Sequence, residues 1–578
     1  MSIPSRRSAL PTVQHTALAA LVCLLLAQAV GSLRWRMEHD TPLLHYAAYL
    51  METYGAVPYR DLFETSMPGT FGFHYLVGRL FGYGDLAFRW VDLSLLALLL
   101  AATYRFMSRF GRQVGAWSAV VFGIVYFSHG QTMSLQRDYI GIVPIALSLL
   151  LIPRGERGPS RGWSTARVGL VRFAFVGLLF GSSFLIKPHL IVGLPLVWAA
   201  LYSHRRDPRG RSFADGLSCA AASGLAFLLP TVVAVTWLVS QQAWDPFVSM
   251  VTDYLPLHQV LTGSHEIVSG KERASYLIAA SIRLGGYIFL ALSALCGYVC
   301  AFHRVRSSGA GSRNTGASAS RTPGVEVRDE TMARSLNLLV LCAASYAVYP
   351  TLAGKFWPYH YAPLAYFLSI SGGLCLLGWR QGIGWRQGLD VHGEATNGGR
   401  VDARTSWPHT VGRWVPFLAL ITFLTLQVDL PNCARVAYHD VRSDRPAHAP
   451  KGGRVDEIAA WLTERLEPGD TVQPLDWTGG SVHAMLLAKT RLATRFLHDY
   501  EFYHHVSTPY VQELRTSFLS QFEDAAPRFV IEVFDASKPW VSGLDTSRSF
   551  PELEAVLRTD YSVAFAGDGY RIYERTKG

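Results

Sequence analysis

The sequence predicts an α-helical protein that crosses a membrane many times and carries a small α/β domain at its C-terminal end. Half of the 578 residues are hydrophobic and only 17% are charged, which is little charge for a soluble chain. Long apolar runs recur up to about residue 430. Beyond that point amphipathic patterns replace them, and such patterns are typical of a soluble fold.

The apolar runs predict about eleven transmembrane helices. Runs of roughly 17–25 apolar residues cross the hydrocarbon core of a bilayer, and unpaired backbone groups in lipid favour helices. The predicted spans are residues 16–33, 86–106, 114–129, 139–152, 168–186, 188–203, 215–239, 276–301, 335–352, 359–378 and 414–430. The first run also fits a signal peptide, with Arg6 and Arg7 before it and Ala27-Gln28-Ala29 as a cleavage box. Its length favours a retained helix.

Basic residues predict the orientation of the chain. Arginines concentrate in every second loop and are sparse in the loops between, and basic loops remain in the cytoplasm. This places the N-terminus in the cytoplasm and the C-terminal domain outside an inner (plasma) membrane, in the periplasm of a cell that has one. The net charge of +10 is therefore a topology signal. It does not indicate nucleic-acid binding, because the basic residues do not form one face.

Two domains follow from these patterns. Residues 1–430 form the transmembrane domain, with a large first outer loop at 34–85, and residues 431–578 form the α/β domain. The latter has neither a Gly-rich phosphate loop nor a nucleophile elbow. We expect its scattered polar residues to lie on the surface or to cap helices. They are Asp476, His483, His498, Asp499, His504 and His505.

The first outer loop contains the segment HDTPLLHYAAYLMETYGAVPYRDLFETSMPGT, residues 39–70. Asp40-Thr41-Pro42 predicts the start of a helix that lies along the membrane surface and ends at GAVPYRD. A capping role is the structural alternative for Asp40. Capping does not explain Glu64, and carboxylates near a bilayer are costly unless they are paired or used. Asp40 and Glu64 are therefore the candidate catalytic residues.

Isolated basic residues at the outer ends of the spans oppose the general charge bias. They are Arg137, Lys187 and Lys355, accompanied by His360. Arginine and lysine bind phosphate, so these side chains are candidates for a donor phosphate site. The alternatives are that Lys187 and Lys355 reach towards the membrane interface, and that Arg137 pairs with Asp138 or Asp92.

Carboxylates and cations on one side of a membrane suit transfer of a group from a lipid-linked phosphate donor. The acid after the first span, followed by YAAYL, PYRD, FE and PG between residues 46 and 69, resembles the polytopic GT-C glycosyltransferases. These include aminoarabinose lipid A transferases, protein O-mannosyltransferases and relatives of lipopolysaccharide-core transferases. The resemblance covers about residues 16–430 and is strongest at 38–92. It implies a GT-C-like membrane fold, and the α/β domain resembles the extracytoplasmic domains that such enzymes carry.

The resemblance also implies roles for individual residues. Asp40 matches the first-loop acid that activates the acceptor hydroxyl, and Glu64 matches a second acid ahead of the turn in the aminoarabinose enzymes. This chain has Thr41 where the mannosyltransferases have glutamate, and Thr65 where the aminoarabinose enzymes have lysine. Contacts to the donor phosphate must then come from other cations, and the candidates are Arg137, Lys187, Lys355 and His360.

Three aromatic residues near the outer boundary are candidates for the substrate cleft: Tyr59, Trp357 and Tyr359. Their alternative role is in an interfacial aromatic belt. A divalent metal is left open, because Asp40, Glu64 and a histidine have no fixed metal spacing.

The function that these features predict is an inner-membrane glycosyltransferase. It would use a polyprenyl-phosphate sugar donor and a lipid, glycan or protein acceptor. A transporter or flippase of a lipid-linked sugar and a non-catalytic membrane scaffold remain as alternatives.

Overall fold

The structure is a computed structural model that describes residues 9–154, 165–203, 213–310, 323–376, 415–443, 449–534 and 538–576. Up to Arg442 the described chain is helical. The helices are α1 Ala9–Gly31, α2 Thr41–Tyr54, α3 Pro68–Phe81, α4 Asp85–Met107, α5 Arg112–Ser128, α6 Arg137–Leu149, α7 Thr165–Ile186, α8 Leu194–Ser203, α9 Phe213–Ser240, α10 Trp244–Ser249, α11 Leu255–Gln259, α12 Gly270–Ile282, α13 Ile288–Ala310, α14 Pro323–Ala353, α15 Ala362–Gly372, α16 Val415–Thr422 and α17 Leu430–Arg442.

The helices confirm a multi-pass membrane protein. Among the described residues, five helices are long and apolar enough to span a bilayer, or up to seven if each of two bent pairs is one span. Every one of the eleven predicted runs overlaps a described helix. The number eleven itself stays a prediction, because several of these helices are shorter than a bilayer span.

The shorter helices α5, α6 and α15 lie inside the bundle. They are buried along most of their length, whereas α9 is largely exposed and has the composition of a lipid-facing span. Helix α5 packs against α1, α4 and α15. A helix that is apolar on every face is stable only where packing or lipid surrounds it completely, and both situations occur in this bundle.

The C-terminal segment contains helices and a small sheet, as its amphipathic pattern predicts. The helices are α18 Arg454–Arg465, α19 Ser481–Leu487, α20 Pro509–Ala525 and α21 Pro551–Asp560, and the strands are β1 Thr471–Leu475, β2 Arg491–Leu492, β3 Phe529–Val533, β4 Tyr561–Gly567 and β5 Tyr570–Arg575. The sheet order is β2-β1-β3-β5-β4. Strands β2, β1 and β3 are parallel, with Val472 opposite Phe529, and β4 and β5 form an antiparallel hairpin. The two-residue strand β2 was not predicted.

Helix α2 lies between the membrane helices and the α/β domain. Residues 41–50 are all buried, so α2 is covered on both faces and does not simply rest on a membrane surface. Tyr46 and Tyr49 donate hydrogen bonds to the carbonyls of Thr490 and Lys489, each at 3.1 Å. Further along the loop, the amide of Phe63 donates to the carbonyl of Arg495 at 2.7 Å. The α/β domain therefore holds the first outer loop in place.

A buried charged network holds the segment that leads into α6. Arg89 and Asp92 on α4 are both fully buried and form an ion pair. Arg89 also donates to Ser134 Oγ at 2.8 Å, and the amide of Leu135 donates to Asp92 Oδ1 at 2.9 Å. Residues 134 and 135 lie just before α6. This network therefore sets the position of Arg137, the first residue of α6.

The buried pair gives a stability prediction. Replacing Arg89 by leucine leaves the Asp92 carboxylate buried without its counterion, which costs about 3–5 kcal/mol. We expect a clear fall in the thermal unfolding temperature in detergent. The double variant Arg89→Leu/Asp92→Leu should recover part of the loss, because no buried charge is left unpaired. The exposed Arg79→Leu on α3 is the control and should change little. A double variant less stable than Arg89→Leu alone would contradict this account.

Candidate active site

Asp40 is directed at charged partners and does not cap α2. It occupies the N-cap position, but its side chain makes no capping hydrogen bond. Instead Arg137 Nη2 donates to Asp40 Oδ2 at 2.9 Å, and His39 Nδ1 lies 2.8 Å from Oδ1. His39 has a φ of 60°, a left-handed backbone that costs a non-glycine residue about 1–3 kcal/mol. The capping alternative for Asp40 is therefore wrong.

The charges around Asp40 keep it ionised. Burial alone would raise the pKa of the Asp40 carboxyl, but His39 and Arg137 outweigh burial and lower it well below its ordinary value. In return, burial opposes the charge on His39, while Asp40 raises the pKa of the imidazole above 6.5. Asp40 is thus a carboxylate at neutral pH, as a proton acceptor must be.

Glu64 is buried, 7% exposed, and is held by the α/β domain. His498 Nε2 lies 3.1 Å from Glu64 Oε2, and His498 Nδ1 lies 2.6 Å from Glu501 Oε2. Burial disfavours the charged imidazole, but Glu501 and Glu64 outweigh it and raise the pKa of His498 well above 6.5. The expectation that His498 is a surface residue is wrong, since it is 5% exposed.

Arg137 connects the two acids. Its Nη1 donates to Ser66 Oγ at 2.9 Å, and Ser66 Oγ donates to Glu64 Oε1 at 3.0 Å. A continuous polar chain therefore runs from Asp40 through Arg137 and Ser66 to Glu64. The alternative pairing of Arg137 with Asp138 or Asp92 is wrong, because Asp138 pairs with Lys187 and Asp92 with Arg89.

The other predicted cations lie further from Asp40. Lys187 Nζ forms an ion pair with Asp138 at 2.7 Å. Lys355 is 5% exposed, contacts His258 Nε2 and lies over the ring of Trp357 at 5.0 Å. Among the described residues it has no carboxylate partner, and burial lowers the pKa of its amine well below 10.5. Both lysines are held inside the protein, so neither extends to the membrane interface.

His360 and the three aromatic residues occupy different positions around the site. Trp357 lines the cavity described below, and its Nε1 donates to the carbonyl of Gly263 at 2.9 Å. Tyr359 is buried with its ring centroid 5.4 Å from that of His39, and His360 is buried edge-on to Tyr359. Tyr59 is buried, and its hydroxyl donates to the carbonyl of Ser66 at 2.5 Å. Tyr59 therefore stabilises the first outer loop from within. These positions differ from those of an interfacial aromatic belt.

One cavity brings Asp40, Glu64 and Arg137 together. Its walls also include Trp357 from the membrane half of the chain and His498 from the α/β domain. The volume is about 70 Å³, well below the roughly 300 Å³ at which small-molecule sites begin. Lys187, Lys355, His360, Tyr59 and Tyr359 do not line it.

Comparisons with known proteins agree with this architecture. No protein-family model matches the sequence, and no curated relative does. Among solved structures, ArnT from Cupriavidus metallidurans bound to undecaprenyl phosphate matches with a TM-score of 0.54 and 13% identity, over 97% of this chain and 98% of that one. The chain has the GT-C fold. ArnT in its apo state matches with a TM-score of 0.52 and 14% identity, over 96% and 98% of the two chains.

The oligosaccharyltransferase of Archaeoglobus fulgidus, tethered to an acceptor peptide, covers 89% of this chain and 69% of its own. Its identity is 11% and its TM-score is 0.42, which is too low to support an argument.

The described residues of the site do not form a metal-binding cluster. Among the residues that the structure describes, no group of three or more His, Cys, Asp or Glu side chains is arranged to hold one. Asp40 and Glu64 are engaged by Arg137 and His498 instead. The divalent metal stays an untested expectation.

Sequence patterns did not indicate the part of the site that the α/β domain supplies. His498 reaches Glu64 in the first outer loop and is itself paired with Glu501, and His483 lies 3.2 Å from Asp85 at the start of α4. Asp476 is buried and accepts hydrogen bonds from Gly479 and Ser481 at the start of α19, which is the capping role expected for it. The clustering of histidines at 498, 504 and 505 was the available signal.

The raised pKa of His498 predicts a pH-dependent stability. A group whose pKa is higher in the folded state stabilises the fold fully below its unfolded value of about 6.5. That contribution is lost as the pH rises through the folded pKa. The thermal unfolding temperature of the wild type should therefore fall more steeply from pH 7 upwards than that of His498→Gln. The His439→Gln variant, at an exposed position of α17, should follow the wild type. Parallel curves for the wild type and His498→Gln would contradict this account.

Proposed function

We propose that the chain is an inner-membrane glycosyltransferase that moves a sugar from a polyprenyl-phosphate donor to a lipid, glycan or protein acceptor on the periplasmic side. The observation that supports this most strongly is the polar chain from Asp40 through Arg137 and Ser66 to Glu64 on one cavity wall. An ionised carboxylate and a guanidinium meet there at the outer end of the membrane helices. The GT-C fold, shared with a protein that binds undecaprenyl phosphate, supports the same function.

The reaction is a direct displacement at the anomeric carbon. The acceptor oxygen forms a bond to that carbon, the bond to the phosphate oxygen breaks, and polyprenyl phosphate leaves with the electron pair. Asp40 takes the proton of the acceptor hydroxyl. Cations stabilise the charge that develops on the departing phosphate. A single displacement inverts the anomeric centre.

Arg137 couples donor binding to the activation of Asp40. Its guanidinium is bound to Asp40, which keeps the carboxylate a weak base. A donor phosphate competes for the same guanidinium, because arginine binds phosphate in a bidentate manner. When Arg137 moves to the phosphate, Asp40 loses one of the partners that lower its pKa and becomes more basic. The same movement widens a cavity that is too small for a sugar ring.

The remaining cations differ in whether a carboxylate already neutralises their charge. Lys187 is balanced by Asp138, whereas Lys355 has no described carboxylate partner. An anion that arrives beside Lys355 raises the pKa of its amine and favours the charged form, which binds the phosphate. His360 and Lys187 do not line the cavity and act at longer range.

The orientation and domain division follow the sequence prediction. Arginine-rich loops place the N-terminus in the cytoplasm, and the α/β domain of residues 431–578 then lies outside with the candidate site. Much of the arginine-rich sequence lies outside the described residues. The bent pair α16 and α17 runs past the predicted boundary at residue 430, to Arg442.

The transporter, flippase and scaffold alternatives differ from an enzyme in how they respond to Asp40→Asn. An enzyme should lose about 10²–10⁴-fold in transfer rate while it stays folded. In a deletion strain complemented with this variant, mass spectrometry of the glycolipids and glycans should show the sugar that the deletion removes still missing. Asp61→Asn is the matched control, because Asp61 lies in the same loop, pairs with the exposed Arg60 and does not line the cavity.

Full restoration of the sugar by Asp40→Asn would exclude the enzymatic role. Partial restoration would favour a transporter, and restoration equal to that of the wild type would favour a scaffold.

Lys355 gives a second test, with undecaprenyl phosphate as the probe. We expect the wild type to take up as much as about one proton when it binds undecaprenyl phosphate. Binding should weaken as the pH rises, because the bound anion favours the charged amine of Lys355. Lys355→Met should remove the proton uptake and weaken binding by about tenfold, or about 1.4 kcal/mol. Calorimetry in two buffers of different ionisation enthalpy measures both. Lys271→Met, at an exposed position, is the control, and unchanged uptake in Lys355→Met would contradict the assignment.

A further inference from the structure

A second cavity of about 560 Å³ adjoins the candidate active site. The two cavities share Glu38, Pro450 and Lys451 as lining residues, so only these side chains and their neighbours separate them. Glu38 is two residues from Asp40. The volume is within the range of roughly 300–1,000 Å³ that small-molecule sites occupy, whereas the first cavity is far below it.

The second cavity lies between membrane helices and an amphipathic helix. Its walls come from the outer part of α1, residues 127–132 at the end of α5 and just after it, and one face of α17. Helix α17 is bent by 51° from the apolar helix before it. The opposite face of α17 exposes Tyr438 and Val441, at 56% and 48%. A helix that is polar in part and exposes apolar residues beside a membrane span lies at the bilayer interface.

The interior of the second cavity is polar without being cationic. Gln28 is 8% exposed and lines the cavity beside Cys433. His129 and Thr132 lie nearby on the same wall. Lys451 is the only lysine or arginine among the described residues of this wall. Such a surface suits a hydroxyl-rich headgroup better than a phosphate.

We propose that this cavity binds the acceptor, and that the acceptor is a membrane lipid with a hydroxyl-bearing headgroup. The inference rests on the proposed function and adds the route of the acceptor. In a direct displacement the acceptor oxygen and the leaving phosphate lie on opposite sides of the anomeric carbon. The cations Arg137 and Lys355 lie at the first cavity or behind it and do not line the second. The acceptor therefore reaches Asp40 past Glu38 and Lys451, with its alkyl chains beside α1 and α17.

The test uses the full chain in lipid nanodiscs and an alkyl glucoside that carries a diazirine in its chain. We expect photolabelling of peptides from residues 128–132 and 432–440. The variant Val436→Trp narrows the cavity from α17 and should reduce this labelling by about tenfold. Val441→Trp introduces the same side chain on the same helix but outside the cavity, and it should label like the wild type. Thr132→Trp narrows the opposite wall and should repeat the result of Val436→Trp.

Undecaprenyl phosphate distinguishes the acceptor from the donor. An excess of it should leave the labelling unchanged, and Val436→Trp should bind it like the wild type. Competition by undecaprenyl phosphate would show that the cavity holds the donor tail, and equal labelling of all variants would show unspecific partition. Either result overturns the proposal.

Sugar transfer in cells separates this inference from the proposed function. Val436→Trp should lower transfer while Val441→Trp should not. Normal transfer by Val436→Trp and Thr132→Trp would favour a protein or soluble acceptor and overturn the inference. If the proposed function itself were wrong, the Asp40→Asn strain would instead show normal glycolipids.

Discussion

The site depends on the need to balance two carboxylates that the first outer loop holds away from water. Asp40 and Glu64 are both largely buried, and a buried carboxylate without a counterion costs several kcal/mol. The loop itself does not supply the balance. Arg137 comes from the start of α6 and His498 comes from the α/β domain, so the two acids are satisfied only when three distant parts of the chain are docked together.

This constraint explains why the α/β domain forms part of the site. Tyr46 and Tyr49 on α2 are hydrogen-bonded to the segment between α19 and β2, and Phe63 is paired with Arg495 beyond β2. These bonds bring His498 within reach of Glu64. The arrangement makes the domain a wall of the cavity, and it makes the network depend on the protonation of His498.

The elements were predictable from the sequence, but the partners of the charges were not. Long apolar runs and a switch to amphipathic periodicity located the helices and the sheet, because each depends on local pattern. Asp40 and Glu64 stood out because acids beside a membrane span are costly. The partners of these acids did not stand out. Arg137 has Asp138 beside it in the chain, and yet it pairs with Asp40. Asp138 pairs with Lys187 instead. Such choices depend on tertiary packing, and a single sequence carries little signal for a contact such as that between Glu64 and His498.

The ion pair that stabilises the candidate site also narrows its cavity. The guanidinium of Arg137 binds the carboxylate of Asp40 and Ser66 Oγ. Lys355 has no carboxylate partner among the described residues, and burial disfavours its charge. Under the proposed function, a donor phosphate would change both conditions at once, because it would draw Arg137 away from Asp40 and favour a charged Lys355. The donor is therefore expected to bind before the acceptor, since only its phosphate releases the carboxylate that the acceptor hydroxyl needs.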